Sequence, residues 1–153
     1  MQVGITGTQA GATPEQLGEL KYQLEDIART EVVLGEGKDF GTWLGFITLH
    51  HGDCVGADYQ AAELVKRNSG ITVSHPPVDG RKRGYHRSTE ILKPKPYLER
   101  NEDIVDMSAV LIALPRMAEK EARRSGTWAT VRYAVRRRKP VIIIYPSGTV
   151  ERR

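Results

Sequence analysis

Two short segments decide the fold: AVLIAL at residues 109–114 and VIIIY at residues 141–145. Both are apolar at consecutive positions, the pattern of a strand that is covered on both faces of a sheet. Between them a helical pattern runs from about Gly126 to Arg138 and stops before Pro140. The side chains of this helix that are expected to face the sheet are Trp128, Val131, Ala134 and Val135. Two buried strands joined by a helix predict a βαβ unit and a parallel sheet.

Three more apolar runs precede this unit and are predicted strands, at residues 2–6, 45–50 and 71–75. A helix is predicted to start at Pro14, with Thr13 as N-cap and Gln16 in the capping-box position. Further helices are predicted from about Gly56 and about Pro96. We expect the latter helix to bury Leu98, Ile104 and Val105.

Strands that alternate with helices of this length predict an α/β fold. With 153 residues the chain is long enough for one core and too short for two independent domains. We therefore expect a single domain over residues 1–153. Its architecture is expected to be a doubly wound, mostly parallel sheet of about five strands, Rossmann-like, with helices on both faces.

Composition restricts the class of protein. No stretch has the roughly 20 consecutive apolar residues of a membrane span, and no signal segment opens the chain, so we expect a cytoplasmic protein. Its one cysteine, Cys54, excludes an internal disulfide framework and fits a reducing compartment. The net charge of +4 favours an anionic partner, either a small nucleotide or a nucleic acid.

Glycine-rich segments follow the first, second and fourth predicted strands. In an open parallel sheet, ligands bind outside the carboxyl ends of the strands, where glycine allows close approach and helix N-termini attract anions. The candidate ligand-binding residues are Thr6, Gly7, Thr8 and Gln9 after the first strand, Gly52, Asp53, Gly56, Ala57 and Asp58 after the second, and Pro115, Arg124, Ser125, Gly126 and Thr127 after the fourth.

Structural interpretations compete with these assignments. The segment after the first strand lacks GxGxxG spacing, so an ordinary strand-to-helix turn explains it equally well. Asp58 is equally well explained as a first-turn carboxylate that only stabilises the helix dipole. Capping of the helix alone would explain Ser125. Capping does not explain Arg123 and Arg124, because the dipole disfavours cations before a helix N-terminus unless an anion lies between them.

Metal binding and cysteine chemistry have weak support. The histidines and acids around Cys54 lack zinc-ligand spacing, and His50 and His51 are expected to point to opposite faces of a strand, so no metal site is predicted. Cys54 fits a small buried side chain. Neither His75 nor His86 has a fixed partner in the sequence. The basic run at residues 136–139 fits a solvated helix end.

The least regular stretch is residues 76–96, with four prolines, two glycines and six Lys or Arg residues. A loop this long in a small domain is usually functional or mobile, and we interpret it as a basic lid. Its candidate anion contacts are Arg81, Lys82, Arg83 and Tyr85, and Arg100 and Asn101 follow it.

Four motifs in register resemble the SLOG superfamily, the Rossmann-like group that includes YspA-type proteins, LOG phosphoribohydrolases and the DNA-processing protein DprA. They are GITGTQ at residues 4–9, HHGDCVGADYQAAELV at 50–65, RNEDIVDMSAVLIALP at 100–115 and RSGTWATVRYAVRRRKPVIIIYP at 124–146. The resemblance implies a nucleotide cleft lined by the glycine-rich segments, with Arg100 and Asn101 near it. It also implies a homo-oligomer, because many members are dimers or larger.

The resemblance leaves three functions open. The first is binding of a nucleotide or nucleoside-phosphate ligand, for example an ADP-ribose-like signal, without a further cofactor. The second is a LOG-like N-glycosidic hydrolase acting on nucleoside monophosphates. Here the family's catalytic glutamate falls on Thr130, so Asp53, Asp58 or Glu102 would have to act instead. The third is DprA-like binding of single-stranded DNA.

Overall fold

The computed structural model describes residues 1–31, 40–117 and 124–153. The strands are β1 (Gln2–Gly7), β2 (Thr48–His51), β3 (Ile71–Ser74), β4 (Glu90–Ile91), β5 (Val110–Leu114), β6 (Val141–Ile144) and β7 (Val150–Arg152). The helices are α1 (Pro14–Glu31), α2 (Ala57–Arg67), α3 (Tyr97–Asp106) and α4 (Gly126–Arg136). Short 3-10 helices cover Phe40–Phe46 and Gly80–Lys82.

All seven strands form one sheet in the order β4-β3-β2-β1-β5-β6-β7. Every pairing is parallel except that of β6 with β7. The chain builds outward from β1 to one edge and then returns to add β5 on the other side of β1. The order therefore reverses between β1 and β5, where ligands bind in open parallel sheets.

Helices cover both faces of the sheet, as the consecutive apolar runs predict. On β5, Ile112 and Leu114 belong to the core beneath α1 and α2, whereas Leu111 and Ala113 belong to the core beneath α3 and α4. All five β5 residues are buried, which explains why this strand is apolar at every position. The predicted α/β class, mostly parallel sheet and two helical layers are confirmed.

The N-terminus of α1 shows the predicted capping box. The backbone N–H of Gln16 donates to Thr13 Oγ1 at 3.1 Å, and the backbone N–H of Thr13 donates to Gln16 Oε1 at 3.0 Å. The Gln16 amide also donates to the carbonyls of Pro115 and Ile144, both at 2.9 Å. The cap therefore ties the start of α1 to the ends of β5 and β6.

The strand prediction was incomplete. The predicted strand at residues 45–50 is a 3-10 helix up to Phe46, and β2 begins only at Thr48. The apolar run crosses this boundary, so its composition hides the turn closed by the Ile47 N–H on the Leu44 carbonyl. The short edge strands β4 and β7 were missed because they are not apolar runs.

Two side chains predicted to be buried are exposed. Leu98 is 69% exposed because it lies in the first turn of α3, whereas the buried residues of that helix begin at Arg100. Val135 is 45% exposed because the buried face of α4 ends at Ala134. In the described ranges, no helix is both long enough and apolar enough to cross a membrane.

Candidate functional site

A cavity of about 440 Å³ lies at the carboxyl ends of β1 and β5, where the strand order reverses. Of the predicted site residues, the structure brings to it Thr6, Gly7, Thr8, Gln9, Gly52, Asp58, Lys82, Arg100, Asn101, Arg124, Ser125, Gly126 and Thr127. The predicted residues that do not line it are Asp53, Gly56, Ala57, Arg81, Arg83, Tyr85 and Pro115. Eight described lining residues were not assigned to the site by the sequence analysis: Ile5, Ala10, Cys54, Tyr97, Ile104, Arg116, Met117 and Trp128.

The N-terminus of α4 opens into this cavity. Ser125 is its N-cap and accepts the backbone N–H of Trp128 at 3.5 Å. A methyl group added to Gly126 would meet no atom of the described residues within 4 Å, and the backbone there does not need a positive φ. The fold therefore does not require glycine at position 126, and the free backbone N–H groups of the first turn remain for an anion. Of the two arginines before this helix, Arg124 lines the cavity and Arg123 lies outside the described residues.

The glycines around the start of α2 are explained by close packing within the protein and not by a ligand. Gly56 has φ 86°, and a Cβ there would lie 2.5 Å from the carbonyl oxygen of Gln9. The Ala57 N–H donates to the Thr8 carbonyl at 3.0 Å, so the loop after β1 covers this helix end. A Cβ on Gly7 would come within 2.5 Å of the Ala57 Cβ. Close packing of β1, its loop and α2 explains these glycines without a ligand.

Arg100 is a buried cation in the wall of the cavity. Its side chain comes from α3 and donates from Nη1 to the carbonyls of Gly52 and His75, and from Nη2 to Cys54 Sγ at 3.3 Å. Any side chain on Gly52 would collide with this guanidinium. Arg100 is only 3% exposed, and its Nε is buried without a hydrogen-bond partner. Among the described residues, the guanidinium therefore uses its two terminal nitrogens for the protein and leaves Nε without an acceptor.

The two candidate acids have different environments. Asp58 lines the cavity, and its Oδ2 accepts the Gly52 N–H at 2.9 Å. Burial raises the pKa of Asp58 to about 6, although the Arg100 guanidinium lowers it. Asp53 binds the Arg83 side chain at 2.5 Å and the backbone N–H of His86 at 2.9 Å. Only Asp58 is placed to act on a molecule in the cavity.

The remaining acid and the family's catalytic position are also outside the site. Glu102 is exposed and does not line the cavity. Thr130 is 2% exposed, and its hydroxyl donates to the Gly126 carbonyl one turn earlier in α4 at 2.8 Å. Neither residue is in a position to replace the missing glutamate.

The basic loop at residues 76–96 is tied to the body of the protein. Asp53 holds Arg83 and His86, the Gly84 N–H donates to the Asp53 carbonyl, and β4 pairs with β3. Arg81 pairs with Asp79 at 2.6 Å. Only Lys82 reaches the cavity, so most of this loop's charge faces away from it. The lid role remains a prediction.

All four histidines of the chain are buried: His50 is hydrogen-bonded to His75, and His51 and His86 belong to a separate set of contacts beside the loop. The Nδ1 of His51 accepts the Asp53 N–H, so its Nε2–H donates to Ser88 Oγ at 2.7 Å. The Ser88 Oγ is also hydrogen-bonded to His86 Nδ1 at 2.8 Å, and His86 Nε2 to Glu63 Oε1 at 2.8 Å. This chain of contacts joins β2, the loop and α2.

The buried histidines predict that the stability of the fold decreases in acid. Burial lowers the pKa of His50, that of His51 to about 3 and that of His75 to about 4. As the pH falls below about 6.5, the unfolded chain takes up protons that the folded chain cannot accept. The raised pKa of Asp58 acts in the opposite direction and offsets part of this loss. We expect the free energy of unfolding to fall by roughly 2 to 4 kcal/mol between pH 7 and pH 5.

Urea denaturation at a series of pH values measures this effect. The variant His51→Gln removes one titrating group and is expected to flatten the dependence. Equal stability at both pH values would contradict the buried neutral histidines.

No protein-family model matches the chain, and no curated protein matches its sequence. The structure is similar to that of the molybdenum cofactor binding protein from the phototrophic bacterium Rippkaea orientalis, with a TM-score of 0.61 and 25% identity over 94% of this chain and 76% of that one. It is also similar to the molybdenum cofactor carrier protein from Chlamydomonas reinhardtii, with a TM-score of 0.59 and 20% identity over 93% and 74%.

A third similar structure is the DNA processing protein A from Helicobacter pylori, with a TM-score of 0.57 and 18% identity. The match covers 94% of this chain and 64% of that one. DNA processing proteins of this kind are among the members that the sequence motifs resemble. The chain therefore has the Rossmann-like fold of the SLOG superfamily, as its four motifs predict.

Proposed function

We propose that this protein binds a nucleotide or another nucleoside-phosphate-like molecule in the cavity between the ends of β1 and β5. The observation that carries the proposal is the start of α4, where Gly126 is free of any packing requirement and opens into the cavity. A phosphate there would accept backbone N–H groups and meet the positive end of the helix dipole.

The charge around the cavity supports an anionic ligand. Among the described residues, four cationic side chains line it, those of Lys82, Arg100, Arg116 and Arg124, against the one acid Asp58. Arg100 contributes its positive charge to the wall, because its guanidinium is buried there with no carboxylate among its described hydrogen-bond partners. The cavity volume of about 440 Å³ lies within the roughly 300 to 1,000 Å³ of small-molecule sites.

A molybdenum cofactor is the second candidate ligand, as a bound cargo. Its support is that two similar structures are of proteins named for binding or carrying it. The same cations and the α4 N-terminus would hold its anionic part. The Cys54 side chain lines the same cavity, so its sulfur atom would be a further contact for the cofactor.

Calorimetric titration tests the proposal. AMP and other nucleoside monophosphates are expected to bind, and adenosine, which lacks the phosphate, is expected to bind at least tenfold more weakly. Affinity is expected to fall with salt because the cationic side chains are screened. Equal binding of AMP and adenosine would contradict a phosphate site at α4.

The hydrolase alternative is tested by the variant Asp58→Asn. For a binding protein, loss of the carboxylate removes a negative charge from the cavity wall, so the affinity for AMP is expected to rise about 3- to 10-fold at pH 7.5. The asparagine oxygen can still accept the Gly52 N–H. A hydrolase would instead release free base from AMP in the wild type and lose that turnover in the variant. Chromatography of the reaction mixture distinguishes the two results.

Binding of single-stranded DNA has the least support from the geometry. Its motivation is the similarity to a DNA processing protein and the basic loop. Within that loop, however, Arg81 and Arg83 are paired with Asp79 and Asp53. Tyr85 is the exposed aromatic residue of the loop, and the Arg83 guanidinium lies 4.6 Å from its ring centre.

A further inference from the structure

Tyr97 is held rigidly at the mouth of the cavity. It is the first residue of α3 and is partly buried. Its hydroxyl oxygen accepts the Gln9 amide at 3.3 Å and lies 3.4 Å from Cys54 Sγ. The Arg100 guanidinium packs over its ring, 4.5 Å from the centre. One edge and one face of the ring are therefore occupied by the protein.

Trp128, the other aromatic residue in the described cavity wall, is too buried to stack on a ligand. Trp128 is 3% exposed, belongs to the core beneath α4 and has the Arg153 guanidinium 5.4 Å from its ring centre. Tyr85 is exposed but does not line the cavity. In the described part of the wall, Tyr97 is therefore the partly buried aromatic residue that lines the cavity, and the ring face opposite Arg100 is the candidate for stacking.

A fixed aromatic ring is an efficient platform for stacking. Because its hydroxyl and its Arg100 face are already held, little side-chain entropy is lost when a ligand binds. The cation behind the ring favours an electron-rich partner on the opposite face. Met117 also lines the cavity, is 71% exposed, and has the flexible apolar side chain that adapts to flat surfaces.

We propose that Tyr97 stacks on a planar heterocycle of the ligand while the phosphate of the same molecule lies at the start of α4. The inference rests on the proposed function of this cavity and specifies its ligand as a ring system joined to a phosphate. A sugar phosphate without a ring would use only the α4 end of the site.

Two probes separate these contributions. AMP carries both the heterocycle and the phosphate, and ribose 5-phosphate carries the phosphate alone. In the variant Tyr97→Leu, we expect AMP to bind roughly 5- to 100-fold more weakly, the range for loss of one aromatic stacking contact. Ribose 5-phosphate is expected to change less than about twofold. Tyr97→Phe keeps the ring but loses the hydroxyl contacts that hold it, and is the matched control that is expected to retain most of the AMP affinity lost by Tyr97→Leu.

Tyr97→Trp provides a second test if the leucine variant folds poorly. Stacking of AMP on the new indole is expected to quench the fluorescence of this variant more than that of the wild type, which contains Trp43 and Trp128, and ribose 5-phosphate is expected to cause no such difference. Unchanged AMP affinity in a folded Tyr97→Leu variant, or equal weakening of both probes, would overturn the stacking proposal alone. Failure of the wild type to bind either probe would overturn the phosphate site itself.

Discussion

Replacement of Gly126 by aspartate is expected to abolish ligand binding, with at least a 100-fold rise in the Kd for AMP and little change in Tm. The new carboxylate would stand where the phosphate is expected to bind. Two like charges about 4 Å apart near a protein surface repel by about 4 kcal/mol, which exceeds a 100-fold change in affinity. The fold should tolerate the change, because a Cβ there meets no atom of the described part of the chain within 4 Å and a carboxylate in the first turn is stabilised by the helix dipole.

Two control variants separate charge from backbone effects. Gly126→Ala adds a methyl group without charge and is expected to weaken AMP binding only a few-fold. Gly18→Asp adds the same carboxylate on the exposed side of α1, where a Cβ also meets nothing within 4 Å, and should leave binding unchanged. Calorimetry gives the affinities and circular dichroism the melting temperatures. AMP binding by Gly126→Asp at wild-type strength would exclude the α4 N-terminus as the phosphate site.

Replacement of Gly56 by alanine is expected to have the opposite profile, with a large loss of stability. Its φ of 86° and ψ of −130° are open to glycine and strongly disfavoured for other residues. A Cβ would also lie 2.5 Å and 2.6 Å from the carbonyl oxygens of Gln9 and Thr8, which are backbone atoms that cannot rotate away. We expect the free energy of unfolding to fall by about 3 to 5 kcal/mol.

Urea denaturation measures this loss, and Gly18→Ala is its matched control. Glycine in an exposed helix interior is unfavourable by up to about 1 kcal/mol relative to alanine, so the control is expected to be slightly more stable than the wild type. Wild-type stability of Gly56→Ala would show that the loop after β1 does not pack against α2 as described.

Much of the fold was predictable because it depends on local pattern. The consecutive apolar positions at residues 109–114 and 141–145 predict strands that are covered on both faces. The structure has strands there, and helices pack on both faces of the sheet. The capping box of Thr13 and Gln16 depends on residues three positions apart and forms as predicted. The edge strands β4 and β7 depend instead on neighbours that are distant in the chain, and they carry no apolar run.

The site was less predictable because the role of each glycine depends on distant contacts. Gly52 makes room for Arg100, and Gly56 for the backbone of Gln9, and neither partner is evident from the local sequence. Arg116 follows β5 and could have been found by the rule that ligands collect after parallel strands. No sequence pattern identified Tyr97, because its candidate role depends on the position of its ring beside Arg100 in the cavity wall.

The most direct test of the central claim is mass spectrometry of small molecules released when the freshly purified protein is denatured, with Gly126→Asp prepared in parallel. We predict that the wild type releases a phosphate-bearing molecule with a planar ring, near one per chain, and that the variant releases none. Release of the same molecule in equal amounts by both proteins, or of a ligand without phosphate, would contradict the assignment of this cavity.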